Sequence, residues 1–453
     1  MSLPTVTLKS KQKVCDVTVQ RIAFYQQCQV VEALDEESKH YYMFFHKEHY
    51  LNYVSASTLP DRSFVKSAFN EGITFHGTHP LVTSLLTAST YKKKDFNTLF
   101  TKLKQQWGHP ETAQIATYFT PFIKKTKLAH FIQSLFYEER RSGKMLSCYR
   151  IYSVLEDFAP THPLIDTFSG DLKFVEIEKR YKLQDESTLA TDTLYTENEW
   201  YKNRLSSYDD LHSLYEKQSR LVEQRALSID HAAHTQTEED YQTLLDSSPS
   251  LLSPPFFTDL YARELTHHSF LNDYLDSLLA ENQLKEAAEL INKHKLALSS
   301  IQSQTFIHLA ERNQTDSPSP DSWRELALSN LKTEQSTKLL ELAVRSILHH
   351  NDISYVREWL QPFEDVPEAQ VIVEKVIEMD TLSNDPGNQR RLGELYYEFQ
   401  QPNLAIECMS WDMELDSANP EPVQWLAKLY NEVGNKEEHD AYQQLYVSMM
   451  QQR

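Results

Sequence analysis

The carboxy-terminal end of this chain echoes itself at a spacing of 34. Leu392, Gly393, Leu395 and Tyr396 fall 34 positions before Leu426, Ala427, Leu429 and Tyr430, with the segment ELDSANP between the two units. A period in the 30s with a helix–turn–helix hydrophobic pattern inside each unit marks stacked helical pairs. One such pair cannot bury its apolar face alone, so neighbours stack into an array that offers a long binding surface. The expectation is a binding protein, and the pattern does not say what is bound.

The register resembles that of the tetratricopeptide repeat family, whose unit carries L-G-x-x-Y, later an alanine, and a closing proline. Here Leu392, Gly393, Tyr396 and Ala405 are in register in the first unit, and Leu426, Ala427, Tyr430 and Gly434 in the second. The chain departs from the pattern at His439, where the family prefers alanine at the helix crossing, and at Ser417, with Pro420 following three residues later. Upstream, FIQSLFYEERRSGKMLSCYRIYSVLEDFAPTHP reads as a diverged unit turning at Gly143, with Cys148 at the alanine position and Pro160 at the close. FLNDYLDSLLAENQLKEAAELINKHKL fits as well, with Ala287 at the crossing and Leu271, Tyr274, Leu275, Leu278 and Ile291 on the apolar face. The alternative for both is an ordinary amphipathic helical hairpin. The resemblance implies a mainly α fold, a TPR-like α-solenoid of stacked helical hairpins with a small β element at the amino terminus.

Composition narrows the function classes. Only 8 of 453 residues are Gly, against a usual share of about 7%. No G-x-G-x-x-G and no G-x-x-x-x-G-K-[ST] loop occurs, which removes the common dinucleotide and P-loop phosphate sites. G-x-S-x-G, H-E-x-x-H and the kinase signatures are also missing. We therefore expect no enzyme and no cofactor. Cys15, Cys28, Cys148 and Cys408 form no C-x-x-C pair and are too few for a disulfide framework. MSLPTVTLKSKQKV lacks the apolar core of a signal peptide, and no run approaches the ~18 apolar residues of a membrane span. A cytoplasmic protein with reduced thiols is expected.

Residues 1–60 differ from the rest. VTVQRIAFYQQCQVVEAL and HYYMFFHKEHYLNYV, rich in Val, Tyr and Phe and separated by DEESK, predict two to four strands. We read 1–60 as a small β cap, 61–246 as a helical TPR-like lobe, 256–380 as a helical solenoid segment and 381–453 as the clear repeat pair. The Ser-, Pro- and Asp-rich stretches 247–255, 313–321 and 381–388 read as linkers or long loops. FVEIEKRYKL could be strand or helix. Tyr201, Tyr208, Tyr215 and Val222 at intervals of seven predict one long helix with a single buried stripe. Because Arg204, Gln218 and Arg225 break the second stripe, packing on a neighbour is preferred to a dimerising coiled coil.

Charge is unevenly spread. Residues 1–150 hold 20 Lys and Arg against 12 Asp and Glu, while the whole chain has 45 against 65. The excess bunches at Lys92, Lys93, Lys94, Lys102, Lys104, Lys124, Lys125 and Lys127, continuing to Arg140, Arg141 and Lys144. One alternative is therefore a nucleic-acid-associated repeat protein with Tyr91, Phe96, Trp107 and Tyr118 available for stacking. No recognised motif accompanies the charge, and those aromatics fall at core-like helical spacings. A third alternative is a metal-dependent enzyme at His46, His49, His76 and His79, with His231 and His234 as a further helical pair. His46 and His49 point to opposite faces if both lie in one strand, so the leading expectation holds no metal.

In tetratricopeptide arrays the first helix of each pair lines the groove. The resemblance places Arg390, Glu394 and Tyr397 there from one unit and Gln424, Lys428 and Asn431 from the next. Arg390 would suit a carboxylate through its forked donors, although Glu394 stands where a neutral amide would help. The expected function is a non-enzymatic scaffold or adaptor that binds a protein or peptide along this groove. Neither a membrane partner nor an oligomeric state is implied.

Overall fold

The computed structural model describes residues 3–11, 13–120, 122–182, 192–312, 317–329 and 336–451. The chain is mainly α-helical, with one sheet near its amino terminus, and divides into two compact units, residues 1–270 and 271–453.

In the first unit the Val-, Tyr- and Phe-rich segments form β1 (Thr5–Lys9), β2 (Val14–Tyr25), β3 (Cys28–Leu34), β4 (His40–His46) and β5 (His49–Ser55). Two later strands, β6 (Ile73–His76) and β7 (Thr90–Lys92), join them in a seven-stranded sheet ordered β5-β4-β3-β2-β1-β7, with β6 also paired to β2. All pairings are antiparallel except β1 with β7. Strand-forming sequence thus runs to Lys92, beyond the expected limit at residue 60.

The hairpin turns are held in different ways. In DEESK the Asp35 carboxylate accepts the backbone N–H groups of Glu37 and Lys39, both at 3.0 Å. Between β4 and β5, Lys47 and Glu48 both adopt positive φ, 47° and 67°. Two consecutive residues of this kind make the turn that matches strand twist, a position usually given to Asn-Gly. Neither residue is suited to it by itself, and tertiary partners described below hold them there.

The sheet packs on the first helices. Val30, Tyr42, Phe44 and Leu51 share one apolar core with Val65 and Ala68 of α1 (Phe64–Glu71), Leu99 and Leu103 of α3 (Phe96–Gln106) and Ile115 of α4 (His109–Thr117). The short α2 spans Pro80–Leu85. A second core joins α4, α5 (Lys125–Arg141), α6 (Met145–Phe158) and α7 (Pro163–Phe168) around Ile132, Phe136 and Leu155. Helices α5 and α6 pack together as the expected hairpin. Gly143 supplies the turn at φ +74°, and Cys148 is fully buried at the crossing.

Of the alternatives left open for FVEIEKRYKL, its described residues, through Lys182, take the helical one, in Leu172–Lys182. Two further features correct the sequence reading of this unit. The seven-residue seam is not one helix but three, Thr193–Lys202, Tyr208–Lys217 and Leu221–Thr235. Tyr201, Tyr215 and Val222 are buried as expected, but Ser219 at φ +57° breaks the chain just before the third helix. The stretch 247–255 is more ordered than a linker, forming a short 3-10 turn with Leu251 buried and then opening the Pro254–Ala262 helix.

The second unit is helical throughout its described residues. Ala287, Ala288, Leu290 and Ile291 of Leu284–His294 are buried, as are Leu271, Tyr274, Leu275 and Leu278, the predicted apolar face. Trp323 and Trp359 fill the interior of Pro320–Ser329 and Ile353–Leu360, and the Trp359 indole donates to the Pro320 carbonyl at 2.8 Å. The first four residues of the stretch 313–321 lie outside the described residues. Residues 381–388 are shared between the end of Gln370–Ser383 and a 3-10 turn at Pro386–Asn388.

The echo at 34 residues becomes two helical pairs: Gln389–Glu398 with Pro402–Leu415, then Pro420–Glu432 with Lys436–Gln451. Each of these four helices packs on the next. Leu392, Leu395, Tyr396, Ala405, Leu426, Ala427 and Leu429 are buried, and Tyr430 is half-buried. Gly393 has a steric reason: a Cβ there would sit 2.9 Å from Met409 Cε and 3.1 Å from Cys408 Cβ. Gly434 turns the chain at φ +79°. His439, the departure from alanine, spans the crossing instead, with Nδ1 2.8 Å from the Ala427 carbonyl.

Candidate functional site

The six predicted groove residues lie on the first helices of the two pairs, Gln389–Glu398 and Pro420–Glu432. The structure brings two of them, Tyr397 and Lys428, together with Trp425 and Glu432, and pairs a third, Arg390, separately with Glu421. Tyr397 meets Trp425 edge-on at 5.3 Å between ring centroids. Lys428 Nζ sits 4.2 Å from the Tyr397 ring centroid and 4.6 Å from that of Trp425. The Tyr397 hydroxyl donates to Glu432 at 2.8 Å. Arg390 pairs with Glu421 across the two helices.

The others are placed differently. Glu394 is 3.6 Å from Arg391 on its own helix. Gln424 and Asn431 are exposed and have no side-chain hydrogen bond among the described residues. Arg390 thus already meets one carboxylate of its own chain, through a single guanidinium nitrogen at an exposed position. Lys428 is the cation whose charge faces rings rather than a carboxylate, a pairing that retains net positive charge at the surface.

Sequence reasoning missed Trp425 and the cavity beside Tyr397. That cavity, about 640 Å³, is lined by Arg345, His349, Gln400, Asn403 and Glu432 among others. Arg345 reaches it from the Ser336–Leu348 helix, 52 positions before Tyr397. Burial holds its guanidinium below the usual arginine range, opposed by Glu311 and Glu341. Gln401 ties the two elements together by donating to the Arg345 carbonyl at 2.9 Å. Only Trp425 had a sequence signal: it lies one residue beyond Gln424 on the same amphipathic helix.

The basic patch does not form one free surface. Lys94 donates to the Leu51 carbonyl at 2.8 Å, and Lys104 pairs with Glu138 at 2.7 Å. Lys93 lies 5.7 Å from the Tyr53 ring centroid, and Lys92 accepts the Tyr50 hydroxyl at its carbonyl. Lys92, Lys93, Lys102, Lys124, Lys125 and Lys127 are all exposed. The aromatics considered for stacking on nucleic acid are core residues instead. Tyr91 and Tyr118 are buried, while Phe96 and Trp107 pack against the core of the sheet.

The paired histidines are engaged separately. His46 is buried between Glu111 at 2.8 Å and the Tyr118 hydroxyl at 3.1 Å, whereas His49 is exposed and bonds the Lys47 carbonyl. His76 contacts the Thr78 hydroxyl at 2.9 Å, and His79 caps α2. His231 stacks on Tyr208 at 3.8 Å, and His234 meets the Asp230 carbonyl at 2.7 Å. Among the described residues no three metal-ligating side chains converge.

The densest polar constellation is sealed inside the first unit. Arg220 lies 2.7 Å from Glu197 and 2.5 Å from Glu223, over the Tyr215 ring at 4.4 Å. All three charged residues are 3% exposed or less. The turn between β4 and β5 reaches the same region. Glu48 accepts the backbone N–H groups of Val222 and Glu223 at 2.6 and 2.9 Å, capping the Leu221–Thr235 helix from the sheet. Lys47 pairs with Glu111 at 2.6 Å. Burial lowers His46 to about 4 and raises Glu223 to about 7 against the pull of Arg220. With Arg220, Glu197 and Glu223 almost wholly buried, this network holds sheet to helices.

No family model matches the sequence, and no curated protein matches it. Among solved structures the chain is similar to a "Circular tandem repeat protein with novel repeat topology and enhanced subunit contact surfaces". The identity is 11% over 82% of this chain and 76% of that one, with a TM-score of 0.13. A score so low carries no argument, and the helical-repeat class rests on the packed pairs described above. No helix among the described residues is long and apolar enough to cross a membrane.

Proposed function

We propose that the chain is a non-enzymatic cytoplasmic scaffold of the TPR-like kind, whose helices Gln389–Glu398 and Pro420–Glu432 bind a protein or peptide segment. The observation that carries this reading is the cluster of Tyr397, Trp425 and Lys428 on the first helices of adjacent repeats. Aromatic side chains anchored beside a cation are the residue types that dominate binding energy at protein interfaces. The rings are already fixed against one another, so little side-chain freedom remains to be lost when a partner docks. Lys428, rather than Arg390, supplies the positive charge for an acidic partner. It stands in a unit that is itself strongly acidic, with 15 Lys and Arg against 31 Asp and Glu in residues 271–453. Its charge therefore orients a partner more than it adds to the overall attraction.

The test is affinity capture with Trp425→Ala and Lys428→Glu beside the wild-type chain. Partners held by this surface should be lost from both variants. Identical recovery from all three would remove the reading.

A further inference from the structure

A second cavity, of about 620 Å³, lies within the first unit between the Gln26–Gln27 turn, α1, α4, the start of α5, the end of α6 and the Thr193–Lys202 helix. Volumes of this size suit a small organic ligand. Its lining combines four chemistries. Arg62, Lys125 and Lys202 converge on it from three separate elements. Lys202 pairs with Glu199 at 2.7 Å. Arg62 and Lys125 have no carboxylate partner among the described residues. Tyr25 and Phe64 form an aromatic wall, edge-on at 5.7 Å. Asp157 adds a carboxylate. The fourth chemistry is amide: Gln26, Gln114 and Asn198 meet the cavity together.

The amides are the most informative part. Gln114 donates to Gln27 at 2.7 Å, and Gln27 donates to Asn198 at 2.9 Å. By contrast Gln114 reaches Gln26 and Asn198 only at 3.5 and 3.4 Å. The short bonds fix the cluster, and the long ones are weak enough for a ligand edge carrying both donors and acceptors to replace them. Gln26 is held at the cavity by a turn with φ +53°.

We propose that this cavity binds a ribonucleoside monophosphate. The base edge meets Gln26, Gln114 and Asn198, and its face lies on the Tyr25–Phe64 wall. Asp157 accepts a ribose hydroxyl hydrogen. Arg62 and Lys125 hold the phosphate, an anion for which a guanidinium fork and a mobile ammonium are both suited. The other carboxylates nearby do not compete for these cations: Glu71 accepts the Tyr25 hydroxyl at 2.9 Å, and Glu199 is taken by Lys202. The site is independent of the repeat surface, which lies in the other unit.

Calorimetric titration of the full chain with AMP, GMP, CMP and UMP tests this, with adenosine, inorganic phosphate and single-stranded RNA as comparisons. At least one monophosphate should bind more tightly than its nucleoside or phosphate alone. Arg62→Glu and Lys125→Glu, both at exposed positions, should weaken it on the order of tenfold or more, with unchanged circular dichroism. Asp157→Ala, which removes the acceptor, should erase any preference for AMP over deoxyadenosine monophosphate in the same titration. The proposal is overturned if no monophosphate binds, if the charge reversals leave binding unchanged, or if RNA binds while every mononucleotide fails.

Discussion

Arg220 is a buried cation answered by more carboxylate than it can neutralise. Glu197 and Glu223 both contact it, and Glu48 lies beside Glu223 at the head of the same helix. Desolvation pushes Glu223 up to about 7 from its ordinary 4.5, with the charges of Glu197 and Glu48 adding to the rise and Arg220 opposing it. The folded chain thus keeps a proton on Glu223 that the unfolded chain releases near pH 4.5. The stability this contributes is complete below that pH and disappears as pH rises through about 7. His46 runs the other way. Its folded value of about 4 lies below 6.5, so its share is present above 6.5 and lost as pH falls through 4. Denaturant melts at pH 5 and pH 8 should show wild type losing about 2–3 kcal/mol more than Glu223→Gln over that interval. Parallel pH dependence in the two proteins would exclude a titrating Glu223.

At the scale of elements, the two glycines of the carboxy-terminal pairs make opposite demands. Gly434 needs its backbone conformation, at φ +79° with open space around it, so Gly434→Ala should cost about 1–2 kcal/mol through strain alone. Gly393 sits in an ordinary helix but faces Cys408 and Met409. Gly393→Ala gains helix propensity while its Cβ asks the Met409 methyl and Cys408 Cβ to give by a few tenths of an ångström, whereas the added methyls of Gly393→Val overpack the same crossing and should cost about 1–3 kcal/mol. Thermal melts of the three variants check the order, and equal losses at Gly393→Ala and Gly434→Ala would contradict it. Such positions are legible in sequence because steric need at a repeat crossing recurs with the repeat. The strands β2–β5 were legible because strand-forming composition and turn residues are local. Strands β6 and β7 were not: four and three residues are too few to show a period. The break near Ser219 also gave no sign, because it is made at positive φ without glycine. At the candidate surface, Tyr397 and Lys428 followed from register, but Arg345 is joined to it only by the packing of distant helices.

On the scale of the molecule, the acidic excess belongs mainly to residues 271–453, with residues 1–270 holding 30 Lys and Arg against 34 Asp and Glu. The basic bunching at 92–127 is partly offset within its own unit, where Lys104 pairs with Glu138. The turn between β4 and β5 has a further consequence, one of timing. Lys47 and Glu48 hold a costly conformation that local sequence does not favour, and the groups that secure it are Glu111 and the amides of Val222 and Glu223. The last of these lies 175 positions further along the chain. Contacts so distant in sequence are slow to close, and a ribosome makes an amino terminus well before its remote partners exist. The hairpin should therefore stay unlatched on a nascent chain until residue 223 has emerged. A fragment ending at residue 150 should leave the backbone amides of residues 45–50 exchanging rapidly with solvent, while the full chain protects them. Equal protection in both would mean that the hairpin closes unaided. Otherwise the hairpin is made long before the groups that finish it.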